Sequence, residues 1–446
     1  MRIAIVGAGL SGRLVLLHLC RRPRPDLDVV LIDPDLHAMG PAYSSDEEQL
    51  LLNVPAGQMS AFDDDRNDFV DWVRGRHGAT DAHAFLPRRL YREYVLERLG
   101  RACRSQPLVH LEQRRAEVTD IVVTREGVRL TMAGGQVTAD KAVLALGNFP
   151  PRPPRVSQAR VRQAARYLGD PWRPQALDVI APTDRVLLIG TGQTATDLVV
   201  TLARREHQGP IVALSRHGLL PLAHASLRAY PSFLAELTGA DRVVDLFGAV
   251  RRHLRRAAAD GFDARAVIDS LRPGTQDLWM GLPEAEKEVF LRHLFRHWEV
   301  VRSRIPPQND AVVTALRASG RLTIAVGRVT DLVPTPAALE VRHERDGETC
   351  TIRADVVIDC MGPEADYGRI EQPLVRNLLR HGLVRRGPAG LGIDALPDGT
   401  VLDRDGRPSR VLSTLGPPLR GVLWETIAVP EIRVQARRLA ERLAGD

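Results

Sequence analysis

Two short glycine clusters, each directly behind a run of apolar residues, have the types and spacing most able to do chemistry in this chain. The first is Gly7, Gly9 and Gly12, after Ile3-Ala4-Ile5-Val6. The second is Gly190 and Gly192, after Val186-Leu187-Leu188-Ile189, with Thr194 next and Ala195 in place of the third glycine. An apolar strand that turns through Gly-x-Gly into a helix brings free backbone N–H groups and the positive end of a helix dipole to one point. That combination receives a pyrophosphate. Two such sites in one chain imply two dinucleotides held together, and the usual chemical purpose is hydride transfer from a nicotinamide to a flavin.

The residues downstream of each cluster differ in a way that assigns them. After the first, the strand Asp28–Ile32 ends at Asp33, 21 residues beyond Gly12, where a carboxylate can accept hydrogen bonds from a ribose diol. After the second, the strand Ile211–Leu214 ends in Ser215-Arg216-His217, so a hydroxyl and a guanidinium stand where the acid would be. Arginine matches phosphate geometry, which favours NADPH at this second site. The glycines and the acid do not by themselves separate FAD from NAD at the first. Two later features favour FAD there. One is the strand 140–146 closing at Gly147, followed by prolines to Pro154. The other is the segment Leu415–Gly421 leading through Glu425 into a helical run to Leu443, which can bring backbone N–H groups beside a flavin pyrimidine edge.

These sites need elements to position them. The predicted class is α/β, with two Rossmann-like dinucleotide-binding domains and a helical insertion. Residues 1–165 and 363–446 form the expected FAD domain. Residues 166–362 form the expected NADPH domain, interrupted by a mostly helical insertion at 219–305 read as helices over 221–237, 242–259 and 284–304. A helix is expected from Leu10 to about Arg21, ended by Pro23 and Pro25. The insertion could shape a substrate pocket, a cap or a dimer surface, and a homo-oligomer is left open.

Composition limits the alternatives. All but Lys141 and Lys287 of the 61 basic residues are arginine, spread along the chain among 55 acids. No compact basic block interleaved with aromatics is present, which argues against a nucleic-acid partner. Cys20, Cys103, Cys350 and Cys360 form no CxxC, which argues against a zinc site and a dithiol relay. No run reaches the ~18 apolar residues of a membrane span, and the first residues lack a leader pattern. A cytoplasmic location is expected.

Four further places bear on the chemistry. Asn53 stands in a loop just before Pro55; its amide suits a flavin edge or a bound substrate, or simply makes an Asx turn. Arg88 either reaches the FAD pyrophosphate or makes a surface ion pair. Trp298, Arg302 and Arg304 lie on one helical stretch, with Arg302 on the same face as Trp298. The arginines either anchor an anionic substrate or cover a packed helix. Glu425 either holds backbone near the flavin or latches two parts of the fold.

The chain resembles FAD/NAD(P)-binding proteins related to flavin-containing monooxygenases and bacterial N-hydroxylating monooxygenases. The resemblance runs over nearly the whole length. It is carried by Gly40-Pro41-Ala42-Tyr43, Leu51-Leu52-Asn53-Val54-Pro55-Ala56, Leu86-Pro87-Arg88-Arg89, Gly190-Thr191-Gly192-Gln193-Thr194-Ala195-Thr196-Asp197, and Trp424-Glu425-Thr426-Ile427-Ala428-Val429-Pro430-Glu431. Arg92 replaces a small residue usual in the family, and Ser303 replaces a histidine. The resemblance implies an FAD-dependent monooxygenase that consumes NADPH and oxygen and acts through a C4a-(hydro)peroxyflavin on a small-molecule substrate, with N-hydroxylation of an amine or amino acid as the first expectation. The alternatives are an NAD(P)H:acceptor oxidoreductase without oxygen insertion, and a redox-sensing or scaffold flavoprotein.

Overall fold

A computed structural model describes residues 1–22, 26–105, 108–152, 164–173, 175–336 and 338–445. Pro23, Pro25 and Pro154 lie outside the described residues. The fold is α/β, with dinucleotide-binding elements and a helical insertion.

The apolar strand Arg2–Val6 sits at the centre of a six-stranded sheet. Its neighbours are Leu27–Asp33 on one side and Lys141–Leu144 on the other, both parallel to it. Val109–Arg115 extends one edge, and Pro408–Thr414 with antiparallel Thr400–Leu402 extends the other. Strands from both ends of the chain therefore share one sheet. Parallel strands must be covered on both faces, which is why they read as continuous apolar runs. On one face the helix Leu10–Cys20 is buried along its whole length beneath Arg88–Ser105 and Val429–Gly445. On the other lie the helix Pro373–His381 and a small antiparallel sheet, Val118–Thr124, Gly127–Met132 and Gly135–Ala139.

The second sheet repeats the plan. Its order is Leu322–Val326, Ile211–Ser215, Val186–Ile189, Val356–Asp359 and Tyr167–Leu168, all parallel. The helices Gln193–Arg204 and Pro307–Ala318 cover one face. The antiparallel strands Arg328–Pro334, Leu339–Arg345 and Glu348–Ala354 cover the other.

Between Ser215 and Leu322 the chain leaves the second sheet and forms the helices Val243–Ala259, Ala264–Asp269, Thr275–Gly281, Glu284–His293 and Phe295–Arg302. One expectation is corrected here. Residues 221–233 are not helical, and only a 3-10 turn, Leu234–Leu237, follows them. Their backbone pairs outward instead: Leu222 N–H donates to Val300 O and His224 N–H to Ile305 O. Pro231, in the interior of the expected helix, removes a donor that the helix would need. The C-terminal helix likewise begins at Val429, four residues later than expected. Trp424 breaks the path with φ 61° and ψ −68°, a conformation in which a side chain is strained.

Candidate functional site

The two glycine clusters are built alike. Gly7 has φ +109°, and a Cβ there would lie 2.3 Å from Ala145 O on the neighbouring strand. Gly190 has φ +123°, and its Cβ would lie 2.4 Å from Cys360 O. No other residue allows so tight a crossing of two strand ends. The second glycine of each cluster is the opposite case. A Cβ on Gly9 would meet nothing nearer than Met39 O at 3.9 Å, and one on Gly192 would meet nothing within 4 Å. Both are N-caps of helices without a side-chain cap, so the first-turn N–H groups are left to a ligand. Gly12 packs the first helix onto its turn, its Cβ position only 2.0 Å from Gly7 O, and buried Ala195 holds the corresponding place in the second. These cradles fit two pyrophosphates.

Asp33 ends its strand beside the first cradle. Its carboxylate accepts from Ala8 N–H at 2.7 Å and from Asp35 N–H at 2.8 Å. Burial pushes its pKa up, while those two N–H bonds oppose the rise. At the second cradle Ser215 Oγ accepts from Gly218 N–H at 3.0 Å and lies 2.9 Å from Thr191 Oγ1. Arg216 is exposed, with no hydrogen bond or ion pair among the described residues. Thr194 is half-buried in the first turn of its helix, and Gly147 follows the central sheet with φ +65° and open space around it.

The C-terminal segment closes over the first cradle. The helices Leu10–Cys20 and Val429–Gly445 run in the same direction: Ile432 and Ser11 meet around Gly416 at one end, and Arg22 pairs with Glu441 at the other. The start of the C-terminal helix thus lies at the ligand edge of the sheet, where open α/β folds bind their ligands. Gln435 and Thr426 hold Gly416 through its N–H and carbonyl, at 2.8 and 2.9 Å. Arg433 ties the same helix to the carbonyls of Gln58 and Ser60, in the loop that carries Asn53. Asn53 accepts from His224 at its backbone oxygen, 3.0 Å away, while its Oδ1 is buried with no partner.

Three arginines selected from the sequence have other work. Arg88 is buried and does not point free to the pyrophosphate. It donates to Leu51 O at 2.9 Å and to Asp197 at 2.6 Å, joining the helix Arg88–Ser105 to the helix of the second cradle. Arg302 is not a free anchor: it grips Glu425 with two bonds of 3.0 and 2.7 Å. Arg304 is not one either. It is buried, doubly bonded to Asp269 at 2.9 and 3.0 Å, and bonded to the carbonyls of Val301 and Arg265. Each guanidinium has taken an acid from elsewhere in the fold, because a buried charge without a partner is costly. Glu425 thereby joins the insertion to the C-terminal segment through this ion pair. Gly421 supports that junction: its carbonyl accepts from Trp279 Nε1 at 2.8 Å, and a Cβ on it would strike Leu391 O at 2.2 Å. Trp279 stacks on Trp424 with ring centres 4.6 Å apart, which holds the strained residue in place. Arg92, the departure from the family pattern, pins the 43–46 loop through Tyr43 O, Ser44 O and Asp46.

Sequence reasoning missed His224, Arg272 and Glu431. Arg272 Nη2 has its nearest acid oxygen, on Glu431, at 3.9 Å. Glu431 Oε2 is buried without a partner, and burial raises the pKa of this carboxyl. Glu431 ends the segment that carries the resemblance, but nothing in the local sequence pairs it with Arg272 or sets His224 beside Asn53, since these residues come from different elements and meet only in the fold. Among the described residues, no group of three His, Cys, Asp or Glu could hold a metal ion, and no helix is long and apolar enough to cross a membrane.

Comparison with known proteins agrees with this geometry. Residues 4–149 match the FAD-NAD(P)-binding family. An L-aspartate N-monooxygenase (nitrosuccinate-forming) of Streptomyces cremeus is 24% identical over 96% of this chain and 91% of its own length. The ornithine hydroxylase of Pseudomonas aeruginosa, in its reduced form, superposes with a TM-score of 0.64 at 16% identity, covering 100% of this chain and 98% of that one. The bacillithiol disulfide reductase of Staphylococcus aureus superposes at 0.60 and 13% identity, covering 100% and 98%. The fold is thus common to a hydroxylase and to a reductase. Residues 4–149 thus match the FAD-NAD(P)-binding family, and the chain as a whole has the fold of the ornithine hydroxylase and of the disulfide reductase.

Proposed function

We propose that this protein is an FAD-dependent, NADPH-consuming monooxygenase that hydroxylates the nitrogen of an amine or amino acid. The observation that carries the reading is the pair of matched cradles with opposite ribose ends, Asp33 at one and Ser215-Arg216 at the other. Residues 1–165 and 363–446 act as the FAD domain and 166–362 as the NADPH domain, a two-Rossmann architecture of the glutathione-reductase type. Gly7, Gly9 and Gly12 admit the FAD pyrophosphate, and Asp33 receives the ribose. Gly190, Gly192 and Thr194 admit the NADPH pyrophosphate, with Ser215 and Arg216 on the 2′-phosphate. Gly147 gives the chain room to leave the sheet beside the flavin.

When bound, the flavin supplies hydride acceptance and oxygen activation; the protein's part is orientation and exclusion of water. The aromatic contact of Trp279 and Trp424 and the Arg302–Glu425 latch seal the insertion against the C-terminal segment. Asn53 Oδ1 offers a buried acceptor to an N–H group of flavin or substrate. The N-monooxygenase of S. cremeus supports a nitrogen as the oxidised atom. The test is incubation of the purified yellow protein with NADPH, oxygen and an amine panel. A product heavier by one oxygen, formed in step with NADPH use, is expected. NADPH oxidation that ends wholly as peroxide with every amine, or that needs a disulfide acceptor, would replace this reading with a reductase.

A further inference from the structure

Four charged residues, two from the insertion and two from the C-terminal part of the chain, meet at the ligand edge of the first sheet. Arg272 follows the helix Ala264–Asp269 of the insertion, and Arg302 ends the helix Phe295–Arg302. Glu425 lies in the C-terminal segment, and Glu431 in the first turn of the last helix. Two of the four satisfy each other: Arg302 and Glu425 form a two-bonded ion pair. The other two do not. Arg272 makes no side-chain hydrogen bond among the described residues, and the nearest oxygen of Glu431 is 3.9 Å away, beyond hydrogen-bonding distance. Glu431 Oε1 stands equally far from Arg302, at 4.0 Å, and its Oε2 has no partner. Arg272 is also among the charges around His224, whose ring is bonded to the Asn53 backbone. Asn53 Oδ1 is another buried acceptor without a donor.

The unmet needs are therefore one donor fork, on a side chain 33% exposed, and two buried acceptors, with Glu431 facing the fork and Asn53 linked to it through His224. A buried polar atom left unpaired costs roughly 1–3 kcal/mol, so such a set is more economical with a ligand than without. The ligand must present an anion to Arg272 and N–H groups to Glu431 Oε2 and Asn53 Oδ1. A diamine fails the first condition, because it would put a cation against the guanidinium. A carboxylic acid without nitrogen fails the second. We infer that Arg272 and Glu431 form the substrate anchor, and that the substrate is a free amino acid whose carboxylate lies on Arg272 and whose amino group donates to Glu431. This inference rests on the amine-or-amino-acid reading above and narrows it to zwitterions.

The test is a binding measurement on the oxidised FAD-loaded protein without NADPH, so that turnover is not needed. Each of the twenty common L-amino acids and L-ornithine is titrated calorimetrically, and the tightest binder is compared with its own α-carboxamide. The free acid should bind about ten- to a hundredfold tighter, the range of one charge-assisted contact. Arg272→Gln should abolish that preference, and Arg272→Lys, which keeps the charge but not the fork, should retain part of it. Glu431→Gln should weaken the acid and the amide alike. FAD content and melting temperature check that each variant folds; Arg272 has no hydrogen bond to lose. Failure of every amino acid to bind, equal binding of acid and carboxamide, or full preference in a folded Arg272→Gln variant overturns the anchor. Carboxylate preference without any N-hydroxylated product leaves the anchor standing and refutes the proposed reaction instead.

Discussion

Replacement of Gly9 by valine separates cofactor binding from folding. Gly9 has φ −66° and ψ −174°, which any L residue adopts, and its Cβ would lie 3.9 Å from the nearest atom. As an uncapped N-cap position it costs the apoprotein only about 1 kcal/mol to change. The added side chain, however, occupies the space through which a pyrophosphate reaches the helix N–H groups. Loss of two charge-assisted bonds, each of about 1.5–3 kcal/mol, weakens FAD by roughly two to four powers of ten. Gly7→Ala is the contrasting variant. Its φ of +109° and the 2.3 Å approach to Ala145 O mean that the protein itself is strained before any cofactor arrives. The assay is flavin per chain after purification, followed by FAD titration of apoprotein and thermal melting without cofactor. Gly9→Val should melt near the wild-type apoprotein and stay colourless, whereas Gly7→Ala should melt well below it. Wild-type FAD affinity in folded Gly9→Val would refute the cradle.

Arg216→Ala should lose about ten- to a hundredfold in NADPH affinity and little in NADH affinity, because it removes one charge-assisted contact to the 2′-phosphate; flavin reduction rates over a range of each coenzyme measure this, and equal losses would exclude the role. Breaking the half-buried Arg302–Glu425 latch with either single alanine should destabilise the holoprotein by about 1.5–3 kcal/mol, and a double-mutant cycle in urea should return a favourable coupling between them; zero coupling would mean that the pair is incidental. Asp359, buried at the end of its strand, has its pKa pushed up to about 6 by burial, against the opposing hydrogen bonds from Met361 N–H and the Tyr167 hydroxyl. The folded state therefore holds this proton more tightly than the unfolded chain, so the contribution to stability is full below about pH 4 and lost as pH rises through 6. Asp359→Asn should accordingly raise the melting temperature at pH 7.5 by an amount worth up to about 3 kcal/mol and change it little near pH 4; an equal shift at both values would remove charge burial as the cause.

The cradles were legible in the sequence because their physics is local. A strand, a turn that tolerates positive φ and a helix start are consecutive residues, so Gly7, Gly9, Gly12, Gly190 and Gly192 declare themselves by spacing, as do Asp33 and Ser215-Arg216 at the next strand ends. The parallel strands were legible for the same reason, since burial on both faces leaves an unbroken apolar run. The roles of the arginines were not. Arg88, Arg302 and Arg304 are separated by 109, 123 and 35 residues from the acids that claim them, and a side-chain spacing rule reaches only three or four residues. In a chain this rich in arginine, which guanidinium is paired and which is left over depends on what the folded backbone brings within 3 Å. Only tertiary structure decided that Arg302 would be spent on Glu425 while Arg272 was left facing Glu431 across 3.9 Å. The sequence by itself determined where the two glycine cradles would lie, and the fold determined which charges are left over between the insertion and the C-terminal segment.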